Sequence, residues 1–273
     1  MIPDGGTTQD VTVDDLNTSF RGDVYGERPS MDAASFRRHV ENNDVDLARS
    51  PRWTVDGALS GVALLAFRGE RAWVGGFGVA PEFRGRGLAQ RYLDATLAIA
   101  RAAGATSVEL EVLVYNARAI RLYERAGFEH IDEVVVWTRE PLRSPSPDDA
   151  PPVTCTLSAA EIAALARTPA SCWQREAASV AAAAPFEAVF IGAPESPGAY
   201  GFVRRGERAS LLDARAHDAA SASALLQALD ALLPAHPLAL VNEPARGALH
   251  DAFVAHGGWR EAARQHRMRL ALR

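Results

Sequence analysis

The sequence predicts an α/β protein made of two successive domains, each a mixed and mostly antiparallel sheet flanked by helices. Three observations lead there. The 273 residues are enough for about two domains. Residues 141–152 (PLRSPSPDDAPP) hold five prolines in twelve positions and divide the chain. On either side of them the same order of helix and strand patterns recurs. Proline fixes φ and removes a donor, so this stretch reads as a linker between domains over 1–140 and 153–273.

In the first half, residues 32–42 put Phe36, His39 and Val40 on one side of a helix. Residues 53–55 and 59–67 are strand-like and meet at the Asp56-Gly57 turn. A second turn at 68–71 leads to a strand over 72–79, which Pro81 stops. Residues 88–103 repeat apolar positions at Leu88, Tyr92, Leu93, Leu97 and Ala100, and Gly104 closes that helix. A strand over 108–113, a helix over 117–125 and a strand over 131–137 follow. The second half offers a strand at 153–157, helical stretches from 159 to 184, and a meander over 188–191, 199–205 and 209–212. A helix at 218–233, a strand at 238–241, a helix at 245–255 and a strand at 266–272 complete it. Both halves end in helix, glycine, aromatic, strand (Gly127-Phe128 and Gly258-Trp259), which we read as an internal duplication.

Apolar residues at 48% and charged residues at 23% are globular values, and no apolar run approaches the ~20 residues of a membrane span. The first residues lack a basic then apolar leader pattern, so a cytoplasmic protein is expected. Cys155 and Cys172 are too few for a disulfide framework, and the five histidines from His217 to His266 lack a metal-ligand spacing, so no metal is expected. A net charge of −5 argues against nucleic acid as partner. The deficit sits at the N-terminus, where residues 1–56 hold 6 arginines against 11 acidic residues.

The chemistry-bearing stretch is Val79-Ala-Pro-Glu-Phe-Arg84-Gly85-Arg86-Gly87-Leu88-Ala89, a strand running through a glycine turn into a helix. The first N–H groups of a helix lack intrahelical partners, and its dipole places partial positive charge there. Glycines let the backbone approach a ligand, and Arg84 and Arg86 add charge, which together suit a pyrophosphate. The spacing is neither that of a nucleoside-triphosphate P-loop nor G-x-G-x-x-G.

Arg84, Gly87 and Ala89 match the coenzyme A loop [QR]-x-x-G-x-[GA] of the GNAT superfamily of N-acetyltransferases, which residues 9–140 resemble. Residues 110–128 resemble the family's second signature, L-x-V-x-x-x-N-x-x-A-x-x-L-Y-x-x-x-G-F, about 20 residues further on. The resemblance implies acetyl-CoA as co-substrate. Backbone groups of Phe77, Gly78 and Val79 would pair with the pantetheine arm, and a bulge at Gly75-Gly76 would part the strands. Amides of Arg84, Gly85, Arg86, Gly87, Leu88 and Ala89 would hold the pyrophosphate. Asn116 would contact the coenzyme or serve as a helix N-cap. Tyr123 would protonate the departing thiolate, and Glu111 would take the acceptor's proton. Glu109 shares that strand face, both carboxylates also suit a solvated strand, and a water chain would need neither.

Carboxylates of the N-terminal segment (Asp14, Asp15, Asp23, Glu27, Asp32, Glu41) would steer a cationic acceptor or are ordinary surface. Phe20, Tyr25 and Trp53 line an acceptor pocket or pack in the core. In the second half, no glycine follows residues 209–212, Phe253 stands where Tyr123 stands, and Asn242 echoes Asn116 at a different spacing. This copy is expected to be degenerate. A similar tandem layout occurs in mycothiol synthases, where the C-terminal copy is the active one, whereas here the intact loop is in the first. The expected function is acetyl transfer from acetyl-CoA to a primary amine in a ternary complex, with an acyl-CoA-binding module lacking turnover as the alternative. The expected partner is a small-molecule or peptide amine, and a homodimer is compatible with the reading.

Overall fold

A computed structural model describes residues 4–7, 10–21, 31–142, 154–155 and 172–272, with backbone alone for 4–7 and 154–155. The chain divides into two compact units, Met1–Ile131 with His266–Arg273, and Asp132–Gln265. Residues 143–152 of the proline-rich linker, residues 159–171 of the expected helices, and Asp23, Tyr25 and Glu27 lie outside the described residues.

The first unit runs β1 (Asp4–Thr7), α1 (Val13–Phe20), α2 (Ala33–Asn42), β2 (Arg52–Val55), β3 (Ala58–Arg68), β4 (Arg71–Val79), α3 (Leu88–Ala102), β5 (Ser107–Leu113), α4 (Ala117–Arg125) and the start of β6 (Glu129–Arg139). A capping box starts α1: the Thr12 hydroxyl accepts from the Asp15 N–H, and the Asp15 carboxylate accepts from the Thr12 N–H. Asp32 caps α2 by accepting from the Ser35 N–H at 2.7 Å. Strands β1 to β4 pair antiparallel in sequence order. The fully buried run Val62–Ala66 in β3 reflects a central strand covered on both faces.

Strand β5 lies parallel to β4, as a crossover through α3 requires. Leu65, Val74, Leu93, Leu97, Val108, Leu110, Leu122, Phe128 and Met268 form one buried cluster between sheet and helices. Each such side chain contributes about 1.5–3 kcal/mol by leaving water. Met268 belongs to the chain's last strand, β12 (Trp259–Ala271), whose residues from His266 onward lie beside β5. There the Leu272 N–H donates to the Thr106 carbonyl at 2.8 Å. The sequence reading gave residues 266–272 to the second half. Alternation marks a strand but not its partner, and the partner proves to be β5 of the first unit.

The second unit holds β6 from Asp132 onward, β7 (Thr154–Cys155), α5 (Ala177–Ala182), β8 (Glu187–Ile191), β9 (Ala199–Arg204), β10 (Ala209–Ala216), α6 (Ala219–Leu232), β11 (Leu238–Pro244), α7 (Ala248–Ala255) and β12 to Gln265. Its strand order is β12-β6-β11-β10-β9-β8-β7. Leu211, Leu225, Leu226, Leu229, Leu238, Leu240 and Phe253 build its core. Strand β10 runs four residues past the expected 209–212, carrying Asp213 and Arg215 inside the strand.

Candidate active site

The site of the first unit starts from a fault in its sheet. Strand β4 pairs with β5 through Arg71↔Ser107, Ala72↔Val108 and Trp73↔Glu109. On its other side, β3 pairs Leu65 with Val74 but Leu64 with Gly76, so Gly75 is the extra residue of a bulge. Only glycine fits there, because a Cβ on Gly75 would stand 2.3 Å from Cζ3 of Trp73. Beyond the bulge, Phe77, Gly78 and Val79 stay paired to Ala63, Val62 and Gly61 of β3, while their pairing to β5 has ended. Their edge away from β3 faces the gap so opened, with the Val79 carbonyl on it taken by Arg84.

At the end of β4 the chain makes a 3-10 turn at Pro81–Phe83, and the expected glycine loop leads into α3. Gly85 and Gly87 have φ of +77° and +75°, the left-handed region that a Cβ disfavours. Gly87 is the N-cap of α3, and no side chain caps this helix. Its leading amides therefore suit an anionic ligand.

The Arg84 side chain differs from expectation. Its guanidinium donates to the carbonyls of Val79 at 2.9 Å and of Ser19 and Arg21, each at 3.1 Å. It tethers the loop to the end of β4 and to the carbonyl end of α1, where a cation is favoured. The Arg86 guanidinium lies 5.4 Å from the Phe83 ring centre.

Across the gap, Asn116 takes the N-cap role at α4: its side chain accepts from the Ala119 N–H at 3.2 Å. Tyr123, in the last turn of α4, is buried with its ring 6.4 Å from Phe77 and 5.7 Å from Phe128. On β5, Glu111 accepts from the Trp73 indole N–H at 2.8 Å. Glu109 is buried and paired with Arg269 at 2.6 Å. The structure thus gives both carboxylates definite partners on the face they share.

Of the N-terminal acidic residues, Asp15 pairs with Arg52 at 3.0 Å and Asp32 caps α2, while Asp14 and Glu41 are exposed. Trp53 is core: it stacks on Tyr92 at 4.2 Å, and the Tyr92 hydroxyl lies 2.6 Å from that of Ser60. Phe20 is half-buried, with its ring edge close to Gly78.

The second unit repeats the fault with different contents. Strands β10 and β11 pair in parallel at Ala209↔Leu238, Ser210↔Ala239 and Leu211↔Leu240, and the β9–β10 register then shifts before Asp213. Where these strands part, the buried Arg175 bonds to both. It pairs with Asp213 at 2.7 Å and donates to the Ala214 carbonyl on β10, and it pairs with Glu243 and donates to the Asn242 carbonyl on β11. Tyr200 donates to Asp213 at 3.1 Å. Burial pushes the Glu243 carboxyl up, even with Arg175 holding against it, and pushes the Tyr200 phenol up as well.

Helix α6 is capped by Asp218, which accepts from the Ser221 N–H at 2.8 Å. Asn242 does not repeat Asn116: it lies within β11 at φ +56°, bonded to Gln174 and Gln265. Gly247 is the N-cap of α7. Phe253 on α7 packs between Trp137 and Trp259.

The first unit thus combines a sheet parted at a bulge with a glycine loop that opens an uncapped helix. Residues 13–128 match the model of the acetyltransferase (GNAT) family. Solved structures similar to the whole chain share the fold. A GCN5-related N-acetyltransferase from Sphaerobacter thermophilus is 16% identical, with a TM-score of 0.70, over 100% of this chain and 96% of that one. A tandem GNAT protein from the clavulanic acid biosynthesis pathway is 14% identical, with a TM-score of 0.61, over 95% and 93%. A GCN5-related N-acetyltransferase from Anabaena variabilis is 15% identical, with a TM-score of 0.53, over 88% and 66%.

Among the described residues, no His, Cys, Asp and Glu group is arranged to hold a metal, and no helix is long and apolar enough to cross a membrane.

Proposed function

We propose that the first unit transfers an acetyl group from acetyl-CoA to a primary amine by direct attack in a ternary complex. The observation that carries this is the parting of β4 from β5 at Gly75, in line with the glycine loop and uncapped start of α3. The outer edge of Phe77, Gly78 and Val79 takes the pantetheine arm as an added strand. The amides of Arg84, Gly85, Arg86, Gly87, Leu88 and Ala89 take the pyrophosphate, with Asn116 bordering the coenzyme from the start of α4.

The amine loses a proton to a base on the Trp73–Glu111 side, and its lone pair attacks the thioester carbon. The carbon–sulfur bond breaks, the Tyr123 phenol gives its proton to the departing thiolate, and the second proton, shed by the new amide nitrogen, restores the phenol. Two exposed carboxylates, Asp14 and Glu41, and the acidic balance of residues 1–56 favour a cationic acceptor. We read the protein as cytoplasmic.

The second unit is read as a degenerate copy. Its helix start already carries the Asp218 carboxylate, its parted strands are bridged by Arg175, and Phe253 offers no hydroxyl.

The test is release of coenzyme A thiol from acetyl-CoA with a panel of primary amines: an amino acid, a polyamine, an aminoglycoside and a peptide with a free N-terminus. Amine-dependent release, matched mole for mole by acetylated amine in a mass spectrum, is expected. Coenzyme binding without turnover on any of them would make the domain a binding module.

A further inference from the structure

We infer that His39 accepts the proton of the acceptor amine while Glu111 holds the ammonium in place, an assignment that rests on the acyl-transfer reading above. The imidazole of α2 lies against Trp73, with ring centres 5.8 Å apart and planes at 46°. It is hydrogen-bonded to the backbone of Gly75. Gly75 is the bulge residue where the gap between β4 and β5 opens, so His39 borders the point at which thioester and amine would meet. The same indole carries Glu111 on its N–H. One buried ring thus touches both the carboxylate, through its N–H, and the imidazole, through its face.

The two groups differ in what they do well. An alkylammonium titrates near 10 and a carboxylate near 4, so a carboxylate is a poor thermodynamic match as proton acceptor and a good one as counter-ion. An imidazole ordinarily titrates between the two. Donating one ring N–H to the Gly75 carbonyl leaves the lone pair of the other nitrogen to accept. Burial holds His39 below its ordinary range near 6.5, partly offset by the Gly75 carbonyl, so the ring is neutral at pH 7. Charged groups on the surrounding elements are Arg37, Arg38 and Glu41 on α2, Arg71 on β4, Glu109 and Glu111 on β5 and Arg269 on β12, and none of them contributes to that shift. Glu109, held by Arg269, does not compete for the ammonium.

In the step itself the ammonium proton passes to the imidazole, directly or through one water, and the freed lone pair forms the new carbon–nitrogen bond. The imidazolium then returns its proton to solvent.

The test uses His39→Asn and His39→Gln in the full chain, with the fastest amine of the panel as probe. Asparagine places its amide nitrogen near Nδ1 and glutamine near Nε2, so a donor to Gly75 survives while no proton acceptor does. Both variants should keep the wild-type melting shift with acetyl-CoA and lose about 10²–10³-fold in kcat/KM at pH 7. The loss should shrink towards pH 10, where the amine deprotonates unaided. Glu111→Gln should raise KM for the amine more than it lowers kcat. Activity within threefold of wild type, or a loss independent of pH, overturns the assignment, as does a pH-dependent loss in Glu111→Gln alone. A wild type with no amine-dependent turnover instead overturns the acyl-transfer reading itself.

Discussion

Arg175→Ala will destabilise the second unit by about 3–5 kcal/mol, the cost of leaving buried charge without its counter-ion. Arg175, Asp213 and Glu243 are all buried, and the guanidinium also satisfies the carbonyls of Asn242 and Ala214. Alanine would strand two carboxylates in a site where burial already pushes Glu243 towards its neutral form. Urea denaturation should show the midpoint falling with little change in slope. Neutralising the whole set (Arg175→Met with Asp213→Asn and Glu243→Gln) should recover most of the loss, since a buried ion pair adds little over apolar or neutral packing. A cost under about 1 kcal/mol for Arg175→Ala would mean that the cluster is solvated rather than a closed bridge between β10 and β11.

Tyr123→Phe will lower kcat/KM by about 10²–10⁴-fold while leaving coenzyme binding intact. The substitution removes one hydroxyl. The ring keeps its contacts with Phe77 and Phe128, so the melting temperature should hold nearly constant. Because the lost proton donor acts on the leaving thiolate, acetyl-CoA affinity by titration should match wild type. A loss below fivefold would remove Tyr123 from the mechanism and leave solvent as the proton source.

Local signals made residues 52–128 legible. Turns at Asp56-Gly57, a Pro81 stop and a Gly104 helix end lie within a few residues of what they punctuate, and those strands and helices stand within a residue or two of expectation. Helix α1 was legible in principle from Thr12 and Asp15, but its apolar face is short, with only Asp15, Leu16 and Ser19 buried. Strand β10 reads short because Asp213 and Arg215 interrupt its apolar run. The charge that makes Asp213 tolerable inside is Arg175, 38 residues away. Likewise, β12 starts seven residues before the expected 266, since its first residues alternate around charged positions such as Arg260, Glu261 and Arg264.

In the site, the backbone requirements were readable and the side-chain partners were not. The glycines of the loop follow from the chemistry of close approach, and they adopt the left-handed φ that glycine permits. Arg84 carries charge in the sequence, yet its guanidinium is bonded to three carbonyls, two of them more than 60 residues away. Glu111 could be singled out by its place on β5, but its bond to Trp73 depends on a parallel pairing that no local pattern encodes. His39 reads only as part of a helix face. Its meaning appears when α2 sets it against the bulge.

The most direct test of the account is titration calorimetry of acetyl-CoA into the full chain and into Gly87→Glu. A carboxylate at a left-handed N-cap would meet both the strain of φ +75° and the phosphate charge. The expected result is one site per chain in the wild type and none in the variant. Two sites per chain, or a Gly87→Glu protein that binds as tightly as wild type, would contradict it by placing the coenzyme somewhere other than the gap between β4 and β5.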